Sequence, residues 1–295
     1  MKREPGIGSA MMQIRLARWL DPAWRTIATG ISFAVFGMGG LLLRVLIFPP
    51  LQRCVRDPLR QRRIARRWVQ RSFAVFIELM RRLGVLTWEV HHRERLQREG
   101  LLVLANHPTL LDVVFLVSLL PHTNCVVKSA AARNLFFRGP VRACGYIAND
   151  SRTGLIDDCI AAVRAGDNLI VFPEGTRSVP EQPLRLQRGA ARIAVRGALN
   201  MTPVRIRCTP PTLTKGEKWY RVPRQRFHIR IEVAEDLPIG HFFDPENTAP
   251  ESLIARQLTE YLTDYFSGDK PHAGFGTGDQ GAHHLFAGAR WRRAR

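Results

Sequence analysis

The chain has 295 residues, 45 % of them hydrophobic, enough for one large domain with extensions and too apolar for a disordered polyelectrolyte. The formal net charge is +19, and residues 1–100 hold 19 Lys and Arg against 7 Asp and Glu, a field that draws the chain toward nucleic acid or an anionic membrane. Five cysteines (Cys54, Cys125, Cys144, Cys159 and Cys208) form no C-x-x-C pair, which argues against a disulfide framework or zinc site and predicts small, buried, reduced residues in a cytoplasmic body.

In chain order, 18 uncharged residues lie between Arg25 and Arg44, and the apolar run resumes as far as Phe48 before Pro49-Pro50. Thr26–Phe48 is long enough to cross a hydrocarbon core, which takes ~20 apolar residues, and too long and too late for a cleaved signal peptide. Gly30, Gly37, Gly39 and Gly40 mark a close-packed face or a bend. Lys2, Arg3, Arg15, Arg18 and Arg25 precede the run; Arg53, Arg56, Arg60 and the arginines up to Arg71 follow it. The positive-inside rule then puts the body on the cytoplasmic face of the inner membrane, behind either a transmembrane helix or a re-entrant hairpin. Ile64, Trp68, Val75, Phe76, Leu79, Met80 and Leu83 recur at helical spacing, with Arg62, Arg63, Arg66, Arg67 and Arg71 crowding the first half. Such a helix lies on an anionic leaflet or packs on the domain with a solvated basic face; the apolar run just upstream favours the leaflet.

From residue 101 strands and helices alternate. The pattern predicts strands at Leu101–Ala105, Cys125–Lys128, Tyr146–Ala148, Leu169–Phe172, Val204–Arg207 and Phe227–Val233. It predicts helices at Pro108–Leu120, Thr153–Ala165, Arg188–Arg196 and Glu251–Phe266. That alternation argues for an α/β sheet covered by helices. The expected organisation is 1–84 as basic membrane-anchoring helices, 85–267 as the α/β domain and 268–295 as a loose basic tail.

Chemistry concentrates in two segments at strand ends. The first is Asn106-His107-Pro108-Thr109-Leu110-Leu111-Asp112. Within one helix, a spacing of five turns two side chains ~140° apart. If the helix starts at Pro108, His107 sits just outside it and the Asp112 carboxylate, on the second turn, reaches one imidazole nitrogen across the bend. The carboxylate then fixes the tautomer and leaves the other nitrogen to take a proton. The second segment is Phe172-Pro173-Glu174-Gly175-Thr176-Arg177-Ser178, where Gly175 permits close backbone approach and Arg177 is a natural phosphate clamp. Alone, it also reads as a polar turn closed by Glu174 and Arg177. His91-His92 and His283-His284 lack a third ligand and predict no metal.

N-H-x-[ST]-x-x-D followed some 60 residues later by F-P-E-G-T-R-S resembles the glycerolipid acyltransferase family, typified by 1-acylglycerol-3-phosphate acyltransferases, over roughly residues 85–235. Thr202-Pro203-Val204 resembles the family's short V-P-V strand, and Leu186-Gln187-Arg188-Gly189 its basic F-K-x-G turn. Lys128 stands where the family often has a basic residue. The resemblance implies a mixed sheet covered by helices, with an N-terminal membrane-anchoring segment. It implies that His107, supported by Asp112, deprotonates the hydroxyl of a lysophospholipid such as 1-acylglycerol-3-phosphate. That hydroxyl attacks the thioester of acyl-CoA or acyl carrier protein, with no further cofactor. Glu174, Gly175, Thr176, Arg177, Arg152, Arg188 and Lys128 are the implied acceptor-binding residues. Activity should fall below about pH 6.5, where an ordinary imidazole protonates. One position departs from the family: Asn149 stands where a phosphate-binding arginine is usual, with Arg152 three residues on as a substitute. That departure keeps open another acceptor, an ornithine lipid or a polyene-pigment lipid. A basic nucleic-acid-binding module is the non-enzymatic reading; the apolar run and the lack of an RNA-binding signature weigh against it, so anionic membrane, not nucleic acid, is the expected partner.

Overall fold

The structure, a computed structural model, describes residues 7–128, 138–149, 154–242 and 249–268. Helix α1 (Ile7–Leu42) runs through a π turn at Leu43–Ile47 into α2 (Phe48–Cys54). Asp21–Cys54 is long and apolar enough to cross a membrane by length and composition. Yet it does not stand clear of the body. It lies antiparallel along α3 (Pro58–Arg82): Trp24 Nε1 donates to the Leu83 carbonyl at 3.0 Å, and the Phe36 and Phe76 rings are 4.7 Å apart. At the far end, a Cβ placed on Gly139 would meet the Arg44 stem at 2.8 Å. Of the expected close-packing glycines, a Cβ placed on Gly30 would meet the Trp219 ring at 3.4 Å, whereas one placed on Gly39 would meet nothing within 4 Å.

Helix α3 starts where Asp57 accepts the amides of Leu59 and Arg60, at 3.1 and 3.2 Å, with Pro58 in the first turn. It packs on the domain: Ala65, Val69, Phe76, Ile77 and Met80 are buried, while Trp68 and Val75 are exposed. Arg66 corrects the expectation of a wholly outward basic crowd. It shares the Ala65–Val69 face and turns inward, its Nε on the Cys144 carbonyl at 2.9 Å and its Nη1 on the Asp167 carboxylate. The expectation of five buried cysteines is also corrected: Cys54, at the end of α2, is exposed and Cys208 is half-buried, whereas Cys125, Cys144 and Cys159 are buried.

The remaining elements are β1 (Leu86–His91), β2 (Leu102–Ala105), α4 (Asp112–Leu119), β3 (Thr123–Lys128), α5 (Arg138–Cys144), β4 (Ile147–Asn149), α6 (Leu155–Arg164), β5 (Asn168–Val171), α7 (Gly189–Gly197), β6 (Met201–Thr209), β7 (Phe227–Val233) and α8 (Glu251–Ser267). Their strands form one mixed sheet in the order β1-β7-β6-β2-β5-β3-β4, in which only the β6–β7 pair is antiparallel. Strand β1 was not anticipated. The expected strand Phe227–Val233 is matched residue for residue, with Phe227, Ile229, Ile231 and Val233 buried.

Both faces of the sheet are covered, which is why β2 is apolar throughout. Leu102 and Leu104 join the core under α6, α7 and α8; Val103 and Ala105 join the one under α3 and α4. Strands β2 to β6 therefore share one carboxyl edge, the edge on which α/β sheets place ligands.

Arg66→Met should remove the cation from the Asp167 carboxylate, which is 21 % exposed and keeps only the Asn124 amide as a donor among the described residues, and leave the Cys144 carbonyl without its donor. Discounted for that exposure, the expected loss is about 2–3 kcal/mol, read as a lower denaturant midpoint in detergent-solubilised protein.

Candidate active site

Strand β2 delivers Asn106 to the carboxyl edge. Its side-chain amide donates to the Ile206 carbonyl at 2.8 Å and accepts the Ile206 amide at 2.7 Å, continuing the β2–β6 ladder after the backbone has left it. The next residue is thereby free of the sheet.

The helix expected from Pro108 begins instead at Asp112. The intervening residues form a turn because Asp112 bonds back into it. Oδ2 accepts the Thr109 amide at 2.7 Å, Oδ1 accepts the Thr109 hydroxyl at 2.6 Å, and that hydroxyl oxygen accepts the Leu111 amide at 3.1 Å. Asp112 is thus the first residue of α4, not a second-turn residue. Its Oδ2 also lies 2.8 Å from His107 Nδ1. A neutral imidazole in this pair carries its proton on Nδ1 and presents Nε2 as an acceptor. The ring is 18 % exposed and stacks on Phe172, centroids 4.2 Å apart and planes 23° apart.

The second loop leaves β5, the neighbour of β2, so the two motifs meet. Glu174 is buried and turned inward. Its Oε1 accepts the His107 backbone amide at 2.8 Å and the Ser178 hydroxyl at 3.0 Å, while the Ser178 amide donates to the His107 carbonyl at 2.8 Å. Glu174 therefore acts through the loop it organises. Gly175 has φ +66°, a left-handed conformation that other residues adopt only with strain. Arg177 Nη1 donates to the carbonyls of Leu213 and Thr214, each at 2.9 Å, so part of the guanidinium holds a third loop, which follows β6. Its Nε and Nη2 have no partner among the described residues.

The other expected residues spread along the same edge. Lys128 is exposed at the carboxyl end of β3, and Arg188 is exposed where α7 begins. Thr176 is half-buried in the loop beside Gly175, and Arg152 lies outside the described residues. Sequence reasoning counted Ser178 among the donors of its loop but assigned no role to Asn106, Thr109 or Phe172, although all three stand inside the quoted segments. The loop at Leu213–Thr214 carried no comparable signal.

Burial raises the pKa of the Asp112 carboxyl above its ordinary value, with hydrogen bonds from His107 and Thr109 pulling the other way.

Residues 87–207 match the Acyltransferase family model. The human protein 1-acyl-sn-glycerol-3-phosphate acyltransferase beta is 30 % identical over 185 residues, 58 % of this chain and 60 % of that protein, so the chain spans about 60 % of the length of this relative. The fold resembles the crystal structure of the 1-acyl-sn-glycerophosphate (LPA) acyltransferase PlsC from Thermotoga maritima, with TM-score 0.59 and 17 % identity over 84 % of this chain and 99 % of that one.

Because the folded Asp112 value is raised, this group favours the native state when protonated, and that contribution is lost as pH rises through the raised value. Asp112→Asn stays neutral and can keep the contacts, its oxygen accepting the two N–H donors and its amide donating to the Thr109 hydroxyl. Thermal unfolding at about pH 7 should find it as stable as the wild type or more so, with the difference shrinking toward about pH 4. Asp112→Ala, which abandons buried donors, should lose about 2–3 kcal/mol.

Proposed function

From the match of residues 87–207 to the Acyltransferase family model, we propose that the protein transfers a fatty-acyl group from a thioester of coenzyme A or acyl carrier protein to the free hydroxyl of a lysophospholipid, 1-acylglycerol-3-phosphate in the first instance. The observation that carries this reading is the His107 Nδ1–Asp112 Oδ2 contact at 2.8 Å, with Nε2 left over at a carboxyl edge that also bears Lys128, Arg177 and Arg188. Nε2 takes the hydroxyl proton as the acceptor oxygen attacks the thioester carbonyl. The tetrahedral adduct collapses with loss of the thiolate, which recovers the proton from His107. Asp112 stabilises the transient imidazolium, and stacking on Phe172 holds the ring plane. A thioester is already activated, so no covalent acyl-enzyme is needed. The uncommitted guanidinium nitrogens of Arg177 supply planar donors for the acceptor phosphate.

Asn149, at the end of β4, favours a second acceptor class with the same chemistry, such as an ornithine lipid or a polyene-pigment lipid. The working location is a membrane surface facing the cytoplasm, where the exposed apolar side of α1 meets lipid.

The test is transfer of a labelled acyl group from acyl-CoA, and separately from acyl carrier protein, to lysophosphatidic acid by reconstituted full-length protein. Wild type should form phosphatidic acid, and His107→Ala should be slower by about 10²–10⁴-fold while still folding, with a lower thermal midpoint because Asp112 loses a donor. Retained activity in the variant removes His107 as the base. Turnover only with another lysolipid moves the acceptor to the second class.

A further inference from the structure

The segment between β6 and β7 does two things at once. At its first end Leu213 is buried, and its carbonyl takes both Arg177 Nη1 at 2.9 Å and the Leu110 amide at 3.1 Å. Leu110 stands between His107 and Asp112, so this end is fastened to both loops of the candidate site. At its other end the segment reaches α1. Trp219 lies where a Cβ placed on Gly30 would meet its ring at 3.4 Å and packs edge-on to Phe33 at 6.2 Å, and buried Arg25 donates to the Arg224 carbonyl.

Its tip is shaped unlike a soluble loop. Trp219 and Tyr220 stay 47 % and 46 % exposed although they pack edge-to-face on each other. They continue an exposed apolar stripe on α1 that includes Ile27, Ile31, Val35 and Met38. Around them stand Lys215, Lys218, Arg221, Arg224 and Arg226, all exposed. The segment's acid, Glu217, is spent on the Thr214 amide at 3.1 Å. Amphipathic aromatic rings ringed by cations settle at the headgroup level of a bilayer, and the cations add attraction to acidic lipids. The Trp219 tip meets α1 beside Phe33, so lipid that covers the exposed stripe of α1 lies next to it.

We propose that Trp219 and Tyr220, with Lys218 and Arg221 beside them, form an interfacial docking surface for acidic phospholipid. Continuous with α1, it seats the carboxyl edge of the sheet at headgroup depth. This surface rests on the lipid-acceptor reading above and adds to it the part that meets the membrane and the path, through Leu213 and Arg177, by which that contact positions the site.

The experiment uses the full chain with vesicles of phosphatidylcholine, with and without phosphatidylglycerol, some bearing bromine-labelled acyl chains. Tryptophan emission of wild type and Trp219→Phe is compared; the difference is the Trp219 signal. It should be lost on brominated vesicles and kept on unbrominated ones. Lys218→Gln and Arg221→Gln should each weaken binding to the acidic vesicles about fivefold and leave binding to neutral ones unchanged. If the chain binds vesicles while the Trp219 signal survives bromine, α1 holds the membrane alone and the docking surface is wrong. If the chain binds no vesicles, the surface is likewise overturned. Acyl transfer to a detergent-dispersed acceptor in that case would leave the catalytic reading standing.

Discussion

One carboxylate with no exposed surface organises the loop that carries His107. Asp112 accepts from His107, from the Thr109 amide and from the Thr109 hydroxyl. A buried ion is tolerated only when such donors replace its lost water. Those donors dictate the local backbone: residues 108–111 turn back toward Asp112 instead of opening a helix, and α4 starts late. The orientation of His107 follows from that turn. The spacing of five residues, which would part the two side chains in a helix, becomes the length of a loop that closes on itself.

A second buried carboxylate repeats the device between loops. Glu174 bonds the backbone amide of His107 and the hydroxyl of Ser178, and Ser178 returns a bond to the His107 carbonyl. It can do so because β2 and β5 are neighbouring parallel strands, whose carboxyl ends lie side by side. Sheet order thus turns two segments more than 60 residues apart into one site. Asn106 adds a third tie, to β6, by standing in for a peptide group. Removing any of the three ties would loosen the same imidazole from a different direction.

Much of this was legible in the sequence, because short-range physics wrote it there. Buried strands such as β2 are continuous apolar runs, and a half-buried pattern such as Phe227–Val233 alternates. The two motif segments contain nearly all the side chains that bond within the site. What escaped was set by distant partners. Leu86–His91 is a strand because β7 pairs with it, with Leu86 opposite Phe227, and its own pattern is weak. Arg66 reads as one of a basic crowd until Asp167 and Cys144 are brought beside it. Pro108 signals a helix start, and the side-chain bonds of Asp112 overrule it. The loop at Leu213–Thr214 looks like a plain connection, since carbonyl acceptors leave no mark in a sequence.

The pairing of β1 with β7 also sets an order of events on the ribosome. Leu86 and Phe227 lie 141 positions apart, so at about 5–20 residues per second the sheet waits roughly seven to thirty seconds for its seventh strand. Helix α1 is out long before that, and Trp219, which covers Gly30 in the finished molecule, is among the last of its neighbours to be made. During that interval the apolar stripe has no protein cover on its Trp219 side. A nascent chain in this state is prone to self-association in water and sheltered at a bilayer. Early contact with lipid would then act as the holding chaperone for an unfinished domain, and the mature docking geometry would be assembled around a helix already in place.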